Sequence, residues 1–488
     1  MTTTPILTPE WVKHAVFYQI FPDRFARSPR ITHAPGITFK DWGSPPEAQG
    51  FQGGDLYGIA DKLPYLQDLG VTALYLNPIF ASASNHRYHT FDYFQVDPLL
   101  GGNAALRTLL DEAHARGIRV VLDGVFNHAS RGFWAFHHIL ETSGNSPYLD
   151  WFYIKKFPLR PYNSSKTRPT NYSAWWNNAA LPKINVRNPG ARAYLLECAR
   201  YWVAFGIDGW RLDVAEEIDD DDFWREFRQT VKQVNPEAYI VAEIWHPAQH
   251  WLQGDMFDAV MNYIFTAATL SYAGGHDVRP DRFEHPDVPL KKYAAADFRA
   301  AIDTMHALYD WQINYAQLNL LDSHDMPRAA WLMNDAPGTL ELAALIQMTF
   351  PGAPCIYYGD EVGLSSAGDP YCRAAFPWHT PEIWNNDLLA TYRKLTAMRH
   401  AHPVLRTGDF KFVAAEGGAV AYTRHLNEQT ALIALNNLTQ PVTLNLPAEH
   451  AAYHSIYPQA GESLYARDGV LTLNLPARGG IVLHAQHA

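Results

Sequence analysis

The sequence predicts an α/β protein: a (β/α)8 TIM barrel with a B domain inserted after strand 3 and a C-terminal antiparallel β-sandwich. Three observations predict it. Continuous apolar runs of strand length alternate with amphipathic stretches of helix length about eight times. Buried strands separated by helices call for a parallel sheet covered on both faces, and eight such units close on themselves. An open doubly wound sheet is the alternative on pattern alone. The rhythm breaks at 129–185, and beyond 403 it gives way to short alternating strands. The expected division is therefore barrel at 1–128 and 186–402, insertion at 129–185, and sandwich at 403–488.

The first strand is AVFYQIFP (15–22), followed by a helix GIADKLPYLQDLG (58–70) and a second strand VTALYLNPIF (71–80). NAALRTLLDEAHARG (103–117) is a helix ending at Gly117, and RVVLDGVFNH (119–128) the third strand. The insertion holds 12 aromatic residues in 57 and little periodicity; an unpatterned loop this long inside a compact fold is usually functional. Helix 191–206 and strand GWRLDVA (209–215) follow, then helix 221–235 and strand YIVAEIW (239–245). AVMNY (259–263), helix 298–317, LNLLDSHD (318–325), helix 339–350, PCIYYGDE (354–361) and helix 386–401 complete the barrel. Segments such as AVAYTRH, TALIALNN and VLTLNLP then alternate with period two, as half-buried strands do.

Composition narrows the function classes. The 488 residues are 47% hydrophobic and 18% charged, a globular balance with ample core material. With 39 basic against 50 acidic residues, the net charge of −11 argues against nucleic acid or an anionic membrane as partner. Neutral ligands such as sugars fit better. Three cysteines do not make a disulfide framework, the N-terminal residues carry no secretory signal, and no apolar run reaches a membrane span. The expectation is a cytoplasmic protein.

Polar residues fall at equivalent strand ends. Asp123, Asn127 and His128 end the third strand, Arg211 and Asp213 lie on the fourth, Glu243 ends the fifth, and His324 and Asp325 end the seventh. In a barrel these ends share one mouth, so three or more carboxylates converge there. Glycosidic cleavage needs such a pair, one carboxyl protonated for the leaving oxygen and one ionised. Strand alternation puts Arg211 beside Asp213 to keep it ionised, while the apolar neighbours of Glu243 favour its protonated form. Each residue also has an ordinary reading, as a helix cap, a structural ion pair or a packed histidine. Pattern alone reaches a carboxylate-based hydrolase or lyase in a barrel.

DGVFNH (123–128), GWRLDVAEE (209–217), VAEIWH (241–246) and LLDSHD (320–325) resemble, in order, the four signature segments of the α-amylase family of glycoside hydrolases. The resemblance runs from FYQIFPDRF (17–25) to IYYGDE (356–361). It implies Asp213 as nucleophile, Glu243 as acid/base and Asp325 as the third catalytic carboxylate. Arg211 would orient the nucleophile, Arg211 and Asp123 would belong with His128 and His324 to the set that binds the reacting sugar, the two histidines by hydrogen bonds, and Tyr88 would stack beneath it. LPKIN (181–185) and EIWHPAQHWLQGDMFDAVMNY (243–263) are similar to the cyclomaltodextrinase, neopullulanase and maltogenic amylase group. There Trp245 would stack an acceptor sugar, with Glu217 and His246 nearby. The implied activity is retaining hydrolysis of α-1,4 bonds in maltooligosaccharides and cyclodextrins, with pullulan or starch as further substrates and transglycosylation to a sugar acceptor. Neighbouring activities on this scaffold are an α-amylase, an oligo-1,6-glucosidase and a glucosyl-isomerising enzyme; a non-catalytic glycan-binding homologue is the remote alternative.

Three departures stand out. The group's N-terminal β-domain has no counterpart before the barrel, which leaves monomer and homodimer both open. The calcium loop of the group corresponds to ARSPRITHAPG (26–36), with no Asp or Asn, so no metal or other cofactor is expected to be required. His89 and Glu216 stand where the group usually has Asp and Asn.

Overall fold

A computed structural model describes residues 5–162 and 169–486. Residues 1–4, 163–168 and 487–488 belong to the expected first barrel part, insertion and sandwich respectively, and lie outside the described residues. Eight parallel strands form the barrel: β1 (Phe17–Ile20), β2 (Ala73–Leu76), β3 (Arg119–Gly124), β4 (Gly209–Leu212), β5 (Tyr239–Ala242), β6 (Ala259–Val260), β7 (Leu318–Leu320) and β8 (Ala353–Tyr357). Each pairs with its sequence neighbour from β1 to β6, β8 pairs with β1 and β7, and a parallel bridge between Met261 and Leu318 closes the ring. All four positions of β1, β2, β4 and β5 are buried, as expected of strands packed inside against side chains and outside against helices.

The helices start and stop where local chemistry dictates. Pro189–Phe205 begins with Asn188, whose side chain accepts from the Gly190 and Ala191 amides, and ends at Gly206, where φ is 117°. Asp220 caps Asp221–Val234, which turns Phe223, Trp224, Phe227 and Val231 onto the barrel. Two expected helices are each broken. GIADKLPYLQDLG splits into Leu56–Asp61 and Leu63–Asp68, because Pro64 has no amide to continue the ladder. The 298–317 stretch divides into Ala295–His306 and Trp311–Ala316, the second restarted by Asp310 accepting from the Gln312 amide. AVMNY is strand only at Ala259–Val260, and Tyr263 already opens the helix Tyr263–Gly274. That helix is buried on nearly every side, so it has no amphipathic period to betray it. A hairpin of Phe80–Ser82 and Thr90–Val96 also stands on the barrel mouth.

Among the described residues the insertion carries the α-helix Trp134–Thr142, three single-turn 3-10 helices, and short extended pieces joined by the bridges Phe152–Ile184, Ile154–Tyr172 and Ala174–Pro182. A further bridge, His128–Lys183, ties its end back to the tip of β3. In the C-terminal region a six-stranded antiparallel sheet faces a two-stranded antiparallel sheet of Val442–Pro447 and Val470–Leu475. Alternation divides the six-stranded sheet cleanly. Val420, Tyr422, Ile433 and Leu435 join the barrel core, whereas Ala421, Leu432 and Ala434 pack with Leu444, Leu446 and Leu473 between the sheets. Buried Arg424 spans the junction, donating to the carbonyls of Thr349 (2.7 Å), Leu405 (2.8 Å), Gly408 (2.8 Å) and Asp409 (2.7 Å). Cys198, Cys355 and Cys372 are free and buried, on an outer helix, on β8 and in a loop beneath the barrel mouth. No helix is long and apolar enough to cross a membrane among the described residues.

Candidate active site

The C-terminal ends of the barrel strands open into a cavity of about 540 Å³ that holds Asp213, Glu243 and Asp325 on its wall. The strand ladder reaches one residue past β4 and β5 to fix the first two: the Asp213 amide donates to Gly124 O at 3.1 Å, and the Glu243 amide to Leu212 O at 2.8 Å. The register of β3 and β4 sets Asp123 opposite Arg211. Arg211 is wholly buried and serves three carboxylates. Its Nη1 lies 2.9 Å from Asp123 and 3.1 Å from Asp213, and its Nη2 lies 2.9 Å from Glu243. One guanidinium therefore binds Asp213 and Glu243 to a common point, which fixes both carboxyls toward the same space.

The next residue after Asp213 makes the turn. Val214 sits at φ 38°, ψ 50°, a left-handed conformation that a β-branched residue enters only under constraint. Its amide thereby donates to Glu243 Oε2 at 3.0 Å, and the Trp245 indole donates to Oε1 at 3.1 Å. The expectation from sequence that Glu243 lies in apolar surroundings is corrected here: Ile244 and Ala242 pack into the core, and the carboxyl itself meets two hydrogen-bond donors and the Arg211 guanidinium. Among the described residues, the Asp213 carboxyl has Arg211 alone as a hydrogen-bond donor. Burial, then the negative charge of Glu243, push the Asp213 carboxyl well up, against the pull of Arg211.

Asp325 behaves in the opposite way. Burial would raise its carboxyl, but His324 at 3.0 Å and Arg373 at 3.1 Å hold it well below the usual carboxylate range. His324 is fixed from behind. Gln19 Nε2 (3.0 Å) and Asn77 Nδ2 (3.1 Å) both face its Nδ1, so the hydrogen resides on Nε2, toward Tyr88 and Asp325. Tyr88 stacks on this imidazole with 6° between the planes and donates to Asp123 Oδ2 at 2.9 Å. His128 accepts from Asn127 Nδ2 at its Nδ1 (3.3 Å), which leaves Nε2 buried without a partner among the described residues. Burial pushes His128 down to about 3, so this Nε2–H is a neutral donor free for a ligand.

Of the sequence-derived substrate contacts, Tyr88, His128, Glu217 and Trp245 line the cavity. Asp123, Arg211 and His324 do not: they are fully buried beneath it, their polar atoms engaged by protein, and they hold the lining residues in place. His246 is not on the wall either, because its Nδ1 turns to the Pro247 carbonyl. Trp245 stacks face to face on Tyr263 at 3.7 Å and meets His285 at 4.5 Å. Glu217 is anchored by Lys183, whose Nζ donates to its carbonyl at 2.6 Å. Glu216, noticed in the sequence only as a departure, lines the cavity with one oxygen that has no partner among the described residues, and burial pushes it up to about 7.

Sequence reasoning missed Arg373, Phe283, His285 and the pair Trp175–Trp176, all on the cavity wall. They belong to long loops without periodicity; for the Trp pair the only signal was the aromatic density of the insertion. His128, Trp175 and Trp176 form a column, with ring centroids 5.2 and 4.8 Å apart and planes within 22° and 13°. Trp176 takes φ 46°, ψ 32°, a left-handed conformation that costs a bulky residue about 1–3 kcal/mol.

The family profile described as alpha amylase, catalytic domain, matches residues 19–378. Neopullulanase 2 of Thermoactinomyces vulgaris is 42% identical over 481 residues, 98% of this chain and 78% of that protein. The cyclomaltodextrinase of Geobacillus thermopakistaniensis is 41% identical over 483 residues, again 98% and 78%. Among solved structures, the debranching enzyme of Nostoc punctiforme superposes with a TM-score of 0.90 at 46% identity, covering 99% of this chain and 100% of that one. A closed barrel with three carboxylates at its mouth, matched at this identity over nearly its whole length, places the chain in the α-amylase family of glycoside hydrolases.

Proposed function

We propose that the protein is a retaining hydrolase of α-1,4-glucosidic bonds in maltooligosaccharides and cyclodextrins, with Asp213 as nucleophile and Glu243 as acid/base. The observation that carries the reading is the Arg211 guanidinium, which holds both carboxyls against one cavity. Glu243 gives its proton to the glycosidic oxygen as the bond from C1 breaks. Asp213 attacks C1 from the opposite face and forms a β-glucosyl ester. Water then gives a proton to Glu243 and its oxygen to C1, which frees Asp213 and returns the α-anomer. The step requires a proton on Glu243 and an ionised Asp213; the positive charge growing on C1 favours ionised Asp213 at that moment. Asp325, already ionised, takes sugar hydroxyls, and His128 Nε2–H donates to another. A sugar hydroxyl in place of water would give transfer.

The relatives' names, neopullulanase and cyclomaltodextrinase, support the α-1,4 reading. The debranching enzyme, matched along its full length, favours α-1,6 cleavage as a second reading. Product analysis on β-cyclodextrin, pullulan, maltotriose and starch separates them: α-1,4 cleavage of pullulan leaves trisaccharides with an α-1,6 bond, and α-1,6 cleavage leaves maltotriose. Asp213→Asn should lower kcat by about a thousandfold or more. Glu243→Gln should lose about 10²–10⁴-fold on natural substrates and far less on a glycoside whose leaving group needs no proton. Equal losses on both substrates would reverse the assignment.

We further propose that no metal is required. The loop at 26–36 is organised by Arg27, which donates to the carbonyls of Gln52 (2.6 Å) and Lys40 (2.7 Å). Asp55 is committed to the amides of Ser28 and Gly58. A chelator should leave the melting temperature and turnover unchanged. Three unpaired thiols support a reducing compartment as its place of work.

A further inference from the structure

We propose that Trp176 is a platform for the glucan chain itself, stacking a glucose unit that lies beyond the two flanking the cleaved bond. The proposal rests on the α-glucan reading above. Trp176 is 78% exposed, whereas Trp202, Trp210 and Trp224 are fully buried in the core. One face of its indole is covered by Trp175, with planes 13° apart, and Trp175 in turn lies on His128. The column thus starts at His128 on the wall of the cavity that holds the catalytic pair and ends in an exposed aromatic ring two layers farther out. Trp176 lines the same cavity as Asp213 and Glu243, so a chain threaded through that cavity passes it.

The backbone argues that the ring is presented rather than left over. At φ 46° the position suits glycine or asparagine, and neighbouring Asn177 is left-handed as well. A tryptophan held there with most of its surface in water gains little for the fold beyond one stacking contact. A sugar offers the missing partner: the C–H face of a pyranose is flat and apolar, and a neutral glucan asks for no charge. The occupant is therefore the distal part of the substrate, and the expected result is a preference for longer chains.

The test compares maltoheptaose with maltotriose. The ratio of their kcat/KM values should fall about tenfold in Trp176→Ala, equivalent to about 1.4 kcal/mol, and stay near the parent value in Trp176→Phe. Trp176→Asn should lose the ratio as Ala does, yet melt higher than Trp176→Ala because Asn tolerates the left-handed backbone. An unmoved ratio, including parallel losses on both lengths, or a Phe variant as impaired as Ala, overturns the platform. Calorimetry of the same two sugars with the parent and Trp176→Ala supplies a readout free of turnover. If the parent binds maltoheptaose more tightly through Trp176 but hydrolyses nothing, the hydrolase reading fails and the platform stands.

Discussion

Single residues at this site trade stability for chemistry, and the sign of the trade follows from the carboxyls. Asp213 is raised in the folded chain, so ionising it costs stability that is fully present below the ordinary carboxylate value of about 3.9 and lost as pH rises toward the folded value. Asp213→Asn mimics the protonated form. It should melt higher than the parent at pH 7, with the gain vanishing below about pH 4, by calorimetry across that range. Asp325 carries the reverse sign. Its folded value is depressed, so its contribution is present above about pH 4 and fades as the solution is acidified. Asp325→Asn should therefore melt lower than the parent at neutral pH and approach it in acid. At this scale much was legible in the sequence. Asp213 and Glu243 follow their short strands by one residue, so the strand period still fixes where they point, whereas the expected strand 318–325 ends at Leu320 and Asp325 is set by the turn beyond it. The donors around Glu243 were not legible, because they come from the left-handed turn at Val214 and from the Trp245 ring, which no periodicity encodes.

Elements carry the second layer of the argument. The barrel strands were readable because buried parallel strands are apolar runs, and the sandwich because half-buried strands alternate. Helix Tyr263–Gly274 escaped for the converse reason: an element buried all round has no period. The junction between barrel and sandwich rests on Arg424, whose burial pushes its guanidinium down to about 10 and whose hydrogen bonds all go to main-chain carbonyls. Replacing it with methionine keeps much of the volume but leaves those carbonyls buried and unsatisfied. Arg424→Met should cost on the order of 3 kcal/mol or more, seen as a lower denaturant midpoint, while kcat of the folded fraction is retained.

For the molecule as a whole, the barrel supplies a rigid ring and the loops supply the site. The strand ends place the carboxyls, and the insertion adds the aromatic wall through the His128–Lys183 bridge. Its three sealed thiols have a practical consequence. Burial pushes all three upward, Cys372 to about 12, so almost none is thiolate at neutral pH and none meets solvent. An alkylating reagent then finds a target only when the chain opens, and the three sites clock three different openings. Cys198 reports an outer helix lifting off, Cys355 a breach of the ring, and Cys372 a loosening under His324, to whose carbonyl its Sγ lies at 3.2 Å. Mass-resolved labelling over time would read a ligand's grip on the mouth as protection of Cys372 alone.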